Sequence, residues 1–395
     1  MPTRLTPRIR HFETLEDRYA MVGDVVAGVV NGTLLLFDGD ENVSFRVSQW
    51  GDGSIRVSGA PGTTINGSFY AQTFSGVTAI SAILGSGHDS IVFHNLTIPG
   101  AIQAYLGAGD DNITLRGVSA QSLLIEAGNG QDEIEIGYQT PLNDPNPVLF
   151  SQFNNFALGL QIDAGAEFDV INLGYTNVLA GELLIEGGAG TSYIKLYNVY
   201  AGGEVTLLPG SDDGFTQIGY LNAQKSLTIY DDTGNDLVSM FASAVQQSTQ
   251  VTDNFGSDTI ALAVFVSPKI WIDSDHNGGT GTDFVNLDNV INQTELRIRQ
   301  GMGSNMTQIS GSNLGAARLE GNNYHVDKLK IIGSTLQSLY ADFGNGNDEF
   351  WLENSTIAHT LKLYGGLGWD KLVWKNSMYL SQLLTMSGFE SQFYI

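Results

Sequence analysis

Residues 84–115 read LGSGHDSIVFHNLTIPGAIQAYLGAGDDNITL. The stretch opens and closes on the same unit, Gly-x-Gly-x-Asp followed by an apolar-x-apolar pair. Between the two copies, apolar residues alternate with small or polar ones: Ile91 and Phe93, then Leu96 and Ile98, then Ile102, Ala104 and Leu106. These are three period-2 runs, each too short for a helix. Three short strands in about 22 residues predict one coil of a three-faced parallel β-helix. Successive coils then stack about 4.8 Å apart.

The unit recurs along the chain, as LGAGDDNITL (106–115), IEAGNGQDEIEI (125–136), IDAGAEFDVINL (162–173), IEGGAGTSYIKL (185–196), VTDNFGSDTIAL (251–262), ADFGNGNDEFWL (341–352) and YGGLGWDKLVW (364–374). Aligned on the Asp, the positions are Asp89, Asp111, Asp132, Asp169, Ser192, Thr216, Asp236, Asp258, Asp283, Thr307, Asp348 and Asp370. A fixed period of this length marks a solenoid. The long interval after Asp132 holds an insertion near 137–158, and the one after Thr307 hides a degenerate unit near Tyr324. The expectation is an all-β, single-stranded, right-handed parallel β-helix of about 13 coils, roughly 60 Å long. The handedness follows the general preference of parallel crossovers. Residues 1–24 read as a targeting or disordered segment, 25–65 as an N-terminal β cap and 66–395 as the β-helix. The stretch LLTMSGFESQFYI (383–395) reads as a final coil or cap. Six residues after the Asp position stand Asn95, Asn198, Asn222, Asn289, Asn313, Asn354 and Asn376, with Gly117 in the second coil. Asn and Gly tolerate left-handed backbone angles, so this column predicts a corner between two faces.

Composition narrows the function classes. Lys and Arg number 18 against 42 Asp and Glu, a net charge of −24, which disfavours nucleic acid and anionic membranes as partners. With no Cys, disulfides, thiolate metal sites and Cys nucleophiles are excluded. No apolar run reaches 18 residues, so no transmembrane helix is expected. The Gly-rich turns precede strands and not helices, which removes a phosphate-binding reading.

The turns 85–89, 107–111, 128–132 and 344–348 resemble the calcium-binding nonapeptide repeat of the RTX family. That resemblance implies Ca²⁺ at the turn carboxylates Asp89, Asp110, Asp111, Asp132, Asp348 and Asp370. Near the start, Arg4, Arg8 and Arg10 precede Phe12-Glu13-Thr14-Leu15-Glu16-Asp17-Arg18. This segment is similar to the short LEPR-XLL signature of large exported planctomycete proteins, and implies extracellular or cell-surface placement.

A second acid column lies six residues before the first: Glu126, Asp163 and Glu186, with Asp231, Asp253 and Asp273 close to it farther on. Parallel β-helices host polysaccharide hydrolases and lyases. An inverting hydrolase uses two carboxyl groups about 6.5–9.5 Å apart, for which Asp231, Asp232, Asp253 and Asp273 are the candidates. No cluster of basic residues is expected beside them to hold an acidic sugar. The leading expectation is therefore a non-enzymatic structural or adhesive solenoid with Ca²⁺ in its turns. A polysaccharide-processing enzyme and a carbohydrate-binding adhesin using the 137–158 loop are the alternatives. Polysaccharide or other cell-surface components are the expected partners, and oligomeric state has no signature in the sequence.

Overall fold

A computed structural model describes residues 23–137, 153–274, 281–321, 325–381 and 383–394. The N-terminal signature and most of the 137–158 insertion lie outside these residues.

The alternation seen in the sequence becomes coil geometry. β1 (Gly23–Val30) pairs antiparallel with β2 (Thr33–Phe37), and β3 (Ser44–Gln49) pairs antiparallel with β4 (Ile55–Gly59). β5 (Thr63–Ile65) runs parallel to β1, and β6 (Gln72–Phe74) antiparallel to β4. β7 (Ala79–Ile83) and β8 (Ser90–Thr97) then lie parallel to β2 and β3. From there every pairing between strands is parallel, β7 with β9 (Ala101–Ala108), and β8 and β9 with successive parts of β10 (Asn112–Asn129). The same step of one coil repeats to strand Ser391–Tyr394. The described residues contain no α-helix. The chain is a parallel β-solenoid.

Inward positions of all three faces stack into one core running the length of the solenoid. Ile91, Ile113, Ile134, Ile171 and Ile194 form one such column, and Ile102, Leu123, Leu160 and Leu183 another, each at most 2 % exposed. Full burial of one such side chain stabilises the fold by roughly 1.5–3 kcal/mol.

The Gly-x-Gly pair has a steric cause. A Cβ on Gly107 would sit 1.9 Å from the Gly85 carbonyl oxygen, and one on Gly109 would sit 1.8 Å from that of Gly87. In the next coil, Gly128 and Gly130 face the Gly107 and Gly109 oxygens at 1.8 and 1.9 Å. Two glycine columns thus let each turn rest directly on the backbone of the previous one.

The repeat alignment needs three corrections. The coil aligned on Thr216 has Gly214 at the column position, whose N–H donates to Asp236. The coil aligned on Thr307 has Asn305 there, and the degenerate unit expected near Tyr324 is centred on Asp327. Thr216 and Thr307 point inward at the next core position, two residues on, and so carry the same alternation. With the true positions, the corner lies six residues on in twelve coils of the described residues. It falls on Asn95, Gly117, Tyr175, Asn198, Tyr220, Ala242, Val264, Asn289, Gly311, Gly333, Asn354 and Asn376, all with φ between 44° and 65°. Asn222 and Asn313 are strand residues two positions past their corners.

Gly109→Ala should destabilise the solenoid by roughly 2–4 kcal/mol, combining left-handed strain with backbone overlap. Gly51→Ala, where a Cβ meets nothing within 4 Å, should be near neutral. Denaturant unfolding of both variants checks this.

Candidate functional site in the glycine turns

The turn Asp is buried, although a turn residue is ordinarily exposed. Asp89, Asp111, Asp132, Asp169, Asp348 and Asp370 are at most 2 % exposed. The strand that follows each turn starts at this residue or one residue after it, and the continued pleat aims the side chain inward. There each carboxylate accepts the backbone N–H of the same position one coil earlier. Asp111 Oδ1 takes the Asp89 N–H at 2.7 Å, Asp132 takes that of Asp111 at 2.8 Å, and Asp169 takes that of Asp132 at 2.9 Å. The column breaks at Ser192 and Gly214, then resumes through Asp236, Asp258, Asp283, Asn305, Asp327, Asp348, Asp370 and Glu390.

One residue before this column the bonds run the other way, on the outside. The Asp110 N–H donates back to His88 Nδ1 at 2.9 Å, and the Gln131 N–H to Asp110 Oδ1 at 3.0 Å. Asp213, Asn235 and Ser257 continue the pattern. The structure therefore separates Asp110, exposed and bonded to the outer turn, from Asp89, Asp111 and Asp132 inside. Each turn is held to its neighbours by two adjacent residues acting in opposite directions.

The inner column carries an electrostatic cost. Its second carboxylate oxygens, on Asp89, Asp111, Asp132, Asp169, Asp348 and Asp370, are buried without a hydrogen-bond partner. Loss of hydration is the main cause that pushes Asp111, Asp169 and Asp348 up to about 7 and Asp132 up to about 6. The N–H bond each accepts pulls the other way, and neighbouring carboxylates add to the rise. Asp89 and Asp370 are raised by the same burial. Two members of the column reveal what the orphaned oxygen lacks. Asn305 Nδ2 donates to the Gly301 carbonyl and Ser192 Oγ to that of Gly187. A protonated Asp has such a donor, and an ionised one does not.

The acid residues farther along divide by pleat. Glu126, Asp163 and Glu186 are in register on the outer surface, and Asp273 belongs to their column through Thr252. Asp273 lies 3.6 Å from Arg299. Asp231 and Asp253 are one residue further on and point inside, 1 % and 0 % exposed. A step of one residue in a strand reverses the face. Asp232 is exposed, with Asn254 Nδ2 3.2 Å from its Oδ1. The four residues weighed as a hydrolytic set are thus split between the core and two outer positions. Basic residues do gather beside Asp273, contrary to the expectation of none, since Arg297 and Arg299 line a shallow groove with Trp271, Gln250 and Thr252.

Inside, Asp231 and Asp253 meet Asp236 and Asp258 of their own turns. Oxygens of Asp236, Asp253 and Asp258 lie within 4.8 Å of one another, and among the described residues this is the one place where three carboxylates converge. Burial, reinforced by Asp258, Asp231 and Asp236, pushes Asp253 up to about 10. Burial and then Asp236 push Asp231 up to about 8.

A second polar column escaped the repeat reading. Immediately after the corner, Ser312, Ser334, Ser355 and Ser377 donate Oγ to the carbonyl two residues back. Each also accepts an N–H from the coil before, Val290, Ser312, Ser334 and Ser355 in turn. Its sequence signal is the recurring Gly-Ser or Asn-Ser pair at 311–312, 333–334, 354–355 and 376–377. Outside, Phe153, Tyr175, Tyr197, Tyr220 and Phe241 stack ring on ring at centroid distances of 5.3–5.9 Å. Tyr197 and Phe241 accordingly belong to a face stack and Phe93 to the core.

Because the folded carboxyls titrate above the ordinary value of 3.8, the folded state holds more protons than the unfolded chain. The column's stabilisation is full below that value and is lost as pH rises through 6 to 7. The denaturation midpoint should fall between pH 5 and pH 8. Asp111→Asn, which imitates Asn305, should be more stable than the parent at pH 8 and flatten the slope. A parent midpoint that rises with pH would contradict the assignment.

Comparison of the chain with family models, with curated proteins and with solved structures found no match, so its functional reading rests on these residues and their geometry.

Proposed function

We propose that this chain is a structural and adhesive rod of the extracellular or cell-surface space. The observation that carries this reading is the use made of its polar side chains. The turn carboxylates, the serines after the corners and the outer turn residues are bonded coil to coil. Side chains used in this way hold a shape and are not free to act on a substrate. The net charge of −24 keeps such a rod soluble. The resemblance of residues 12–18 to an export signature supports the placement.

The adhesive part has a specific locus, which favours carbohydrate as the partner. Trp271 is 38 % exposed, and Arg297 and Arg299 stand beside it. An indole face supports a sugar ring, and a guanidinium pairs with a carboxylate in bidentate fashion. Arg297 is already 3.1 Å from Glu320, so an acidic sugar has to compete with an internal carboxylate. Weak binding of an acidic polysaccharide fits that arrangement.

Protease shaving of intact cells should release the protein. The purified chain should bind polygalacturonate, with Trp271→Ala weakening binding at least about tenfold, the order expected for loss of one buried aromatic contact. No new reducing ends or unsaturated products should form. Confinement to the cytoplasm would overturn the placement. Product formation abolished by Asp253→Asn would replace this reading with an enzymatic one.

A further inference from the structure

Five residues before the inner column, several coils place an apolar side chain beneath the turn. Leu84, Leu106, Ala127, Ala164 and Phe343 fill that place, all buried. In two successive coils Asp231 and Asp253 stand there instead. Together with Asp236 and Asp258 they put four carboxylates inside two stacked turns, each at most 2 % exposed. The charges acting on Asp253 from its neighbours are Asp258, Asp231 and Asp236, all of its own sign.

The oxygens can be accounted for one by one. Asp236 Oδ1 and Asp258 Oδ1 accept the N–H groups of Gly214 and Asp236. Asp231 Oδ1 accepts the Asp232 N–H at 3.3 Å. Asp236 Oδ2, Asp258 Oδ2 and both oxygens of Asp253 have no partner. Ser274 follows Asp253 at the same inward position of the next coil, 0 % exposed, and its Oγ is also without a partner. Five buried oxygens thus have no hydrogen-bond partner. Buried polar groups are paired in nearly all native structures, and an exception points to an ion or another unseen partner.

We propose that Asp236, Asp253 and Asp258, flanked by Asp231 and Ser274, hold one calcium ion inside the solenoid. The donors are all oxygen, which suits a hard cation and not zinc or copper. Calcium binds oxygen at about 2.3–2.6 Å, so oxygens on opposite sides of it stand about 5 Å apart. The carboxylate oxygens lie within 4.8 Å of one another. Magnesium needs a tighter octahedron and gives up its water reluctantly. The site lies where the inner column resumes after its break at Ser192 and Gly214, so the ion joins two coils next to that break. With Asp253 wholly buried, the ion enters as the chain folds. This inference is independent of where the protein resides and of what it adheres to.

The test is refolding of the full chain from denaturant in millimolar Ca²⁺, in Mg²⁺ or in EGTA, followed by metal analysis and melting. One calcium per chain and a higher Tm in Ca²⁺ than in EGTA are expected, with a smaller shift in Mg²⁺. Asp253→Asn and Asp258→Asn should lose the ion, and Asp111→Asn should keep it. Asp253→Leu supplies the residue that Leu84 and Leu106 hold at this position and should fold regardless. It should hold no calcium, be indifferent to Ca²⁺ and melt above the parent in EGTA. The proposal is overturned if the parent retains no calcium and responds only to acid, which makes protons the neutralising partner. It is equally overturned if Asp253→Leu binds as the parent does, or if Asp111→Asn alone loses the ion. A Mg²⁺ shift as large as that of Ca²⁺ overturns the choice of metal.

Discussion

The solenoid depends on the contact between the backbone of one turn and the backbone of the next. At Gly107 and Gly109 the preceding coil's carbonyl oxygens lie within 2 Å of where a Cβ would be. Nothing larger than hydrogen fits, and only this fit lets the flanking strands of three faces keep a common coil spacing. The glycine columns therefore come before the polar ladders in the physical order of causes. Once the turns are in contact, the N–H of each Asp position is sealed from water and has to find an acceptor, because a buried unpaired N–H is costly. The Asp of the coil after it supplies one.

That solution leaves a second oxygen over. A carboxylate answers one donor and brings one acceptor too many, and its burial raises the affinity of these groups for a proton. Asn305 and Ser192 show the neutral alternatives, and the chain uses them sparingly. The abundance of Asp in the column is the source of the pH dependence expected of the rod. The outer staples through His88, Asp110 and Gln131 carry no such cost, because solvent reaches them.

The same logic explains the exceptional place in the fold. Where Asp231 and Asp253 replace the apolar residue beneath the turn, the surplus of acceptors grows beyond what the backbone can absorb. The aromatic stack that starts at Phe153 ends at Phe241, in the coil of Asp236. The middle of the rod thus combines a break in the inner column, a chain of stacked rings and a concentration of buried acid.

The coil, its three strands and its period were legible because each depends on residue type at fixed spacing. The alternation of Ile91, Phe93, Leu96, Ile98 and Ile102 determines which atoms face the core, and Gly-x-Gly determines where the turns come into contact. The corner column was legible for Asn95 or Asn354 but not for Tyr175, Tyr220 or Val264, where the fold imposes the left-handed angle on residues that do not favour it. The columns at Gly214 and Asn305 were misplaced by two residues because a period of two is blind to a shift of two. The sequence by itself determined a stacked parallel solenoid with acid in its turns. Only the tertiary structure decided which carboxylates face inward, since one step of register separates Asp253 in the core from Thr252 and its partner Asp273. It also decided that four of them meet, because Asp231 and Asp253 become neighbours only when one coil lies on the next.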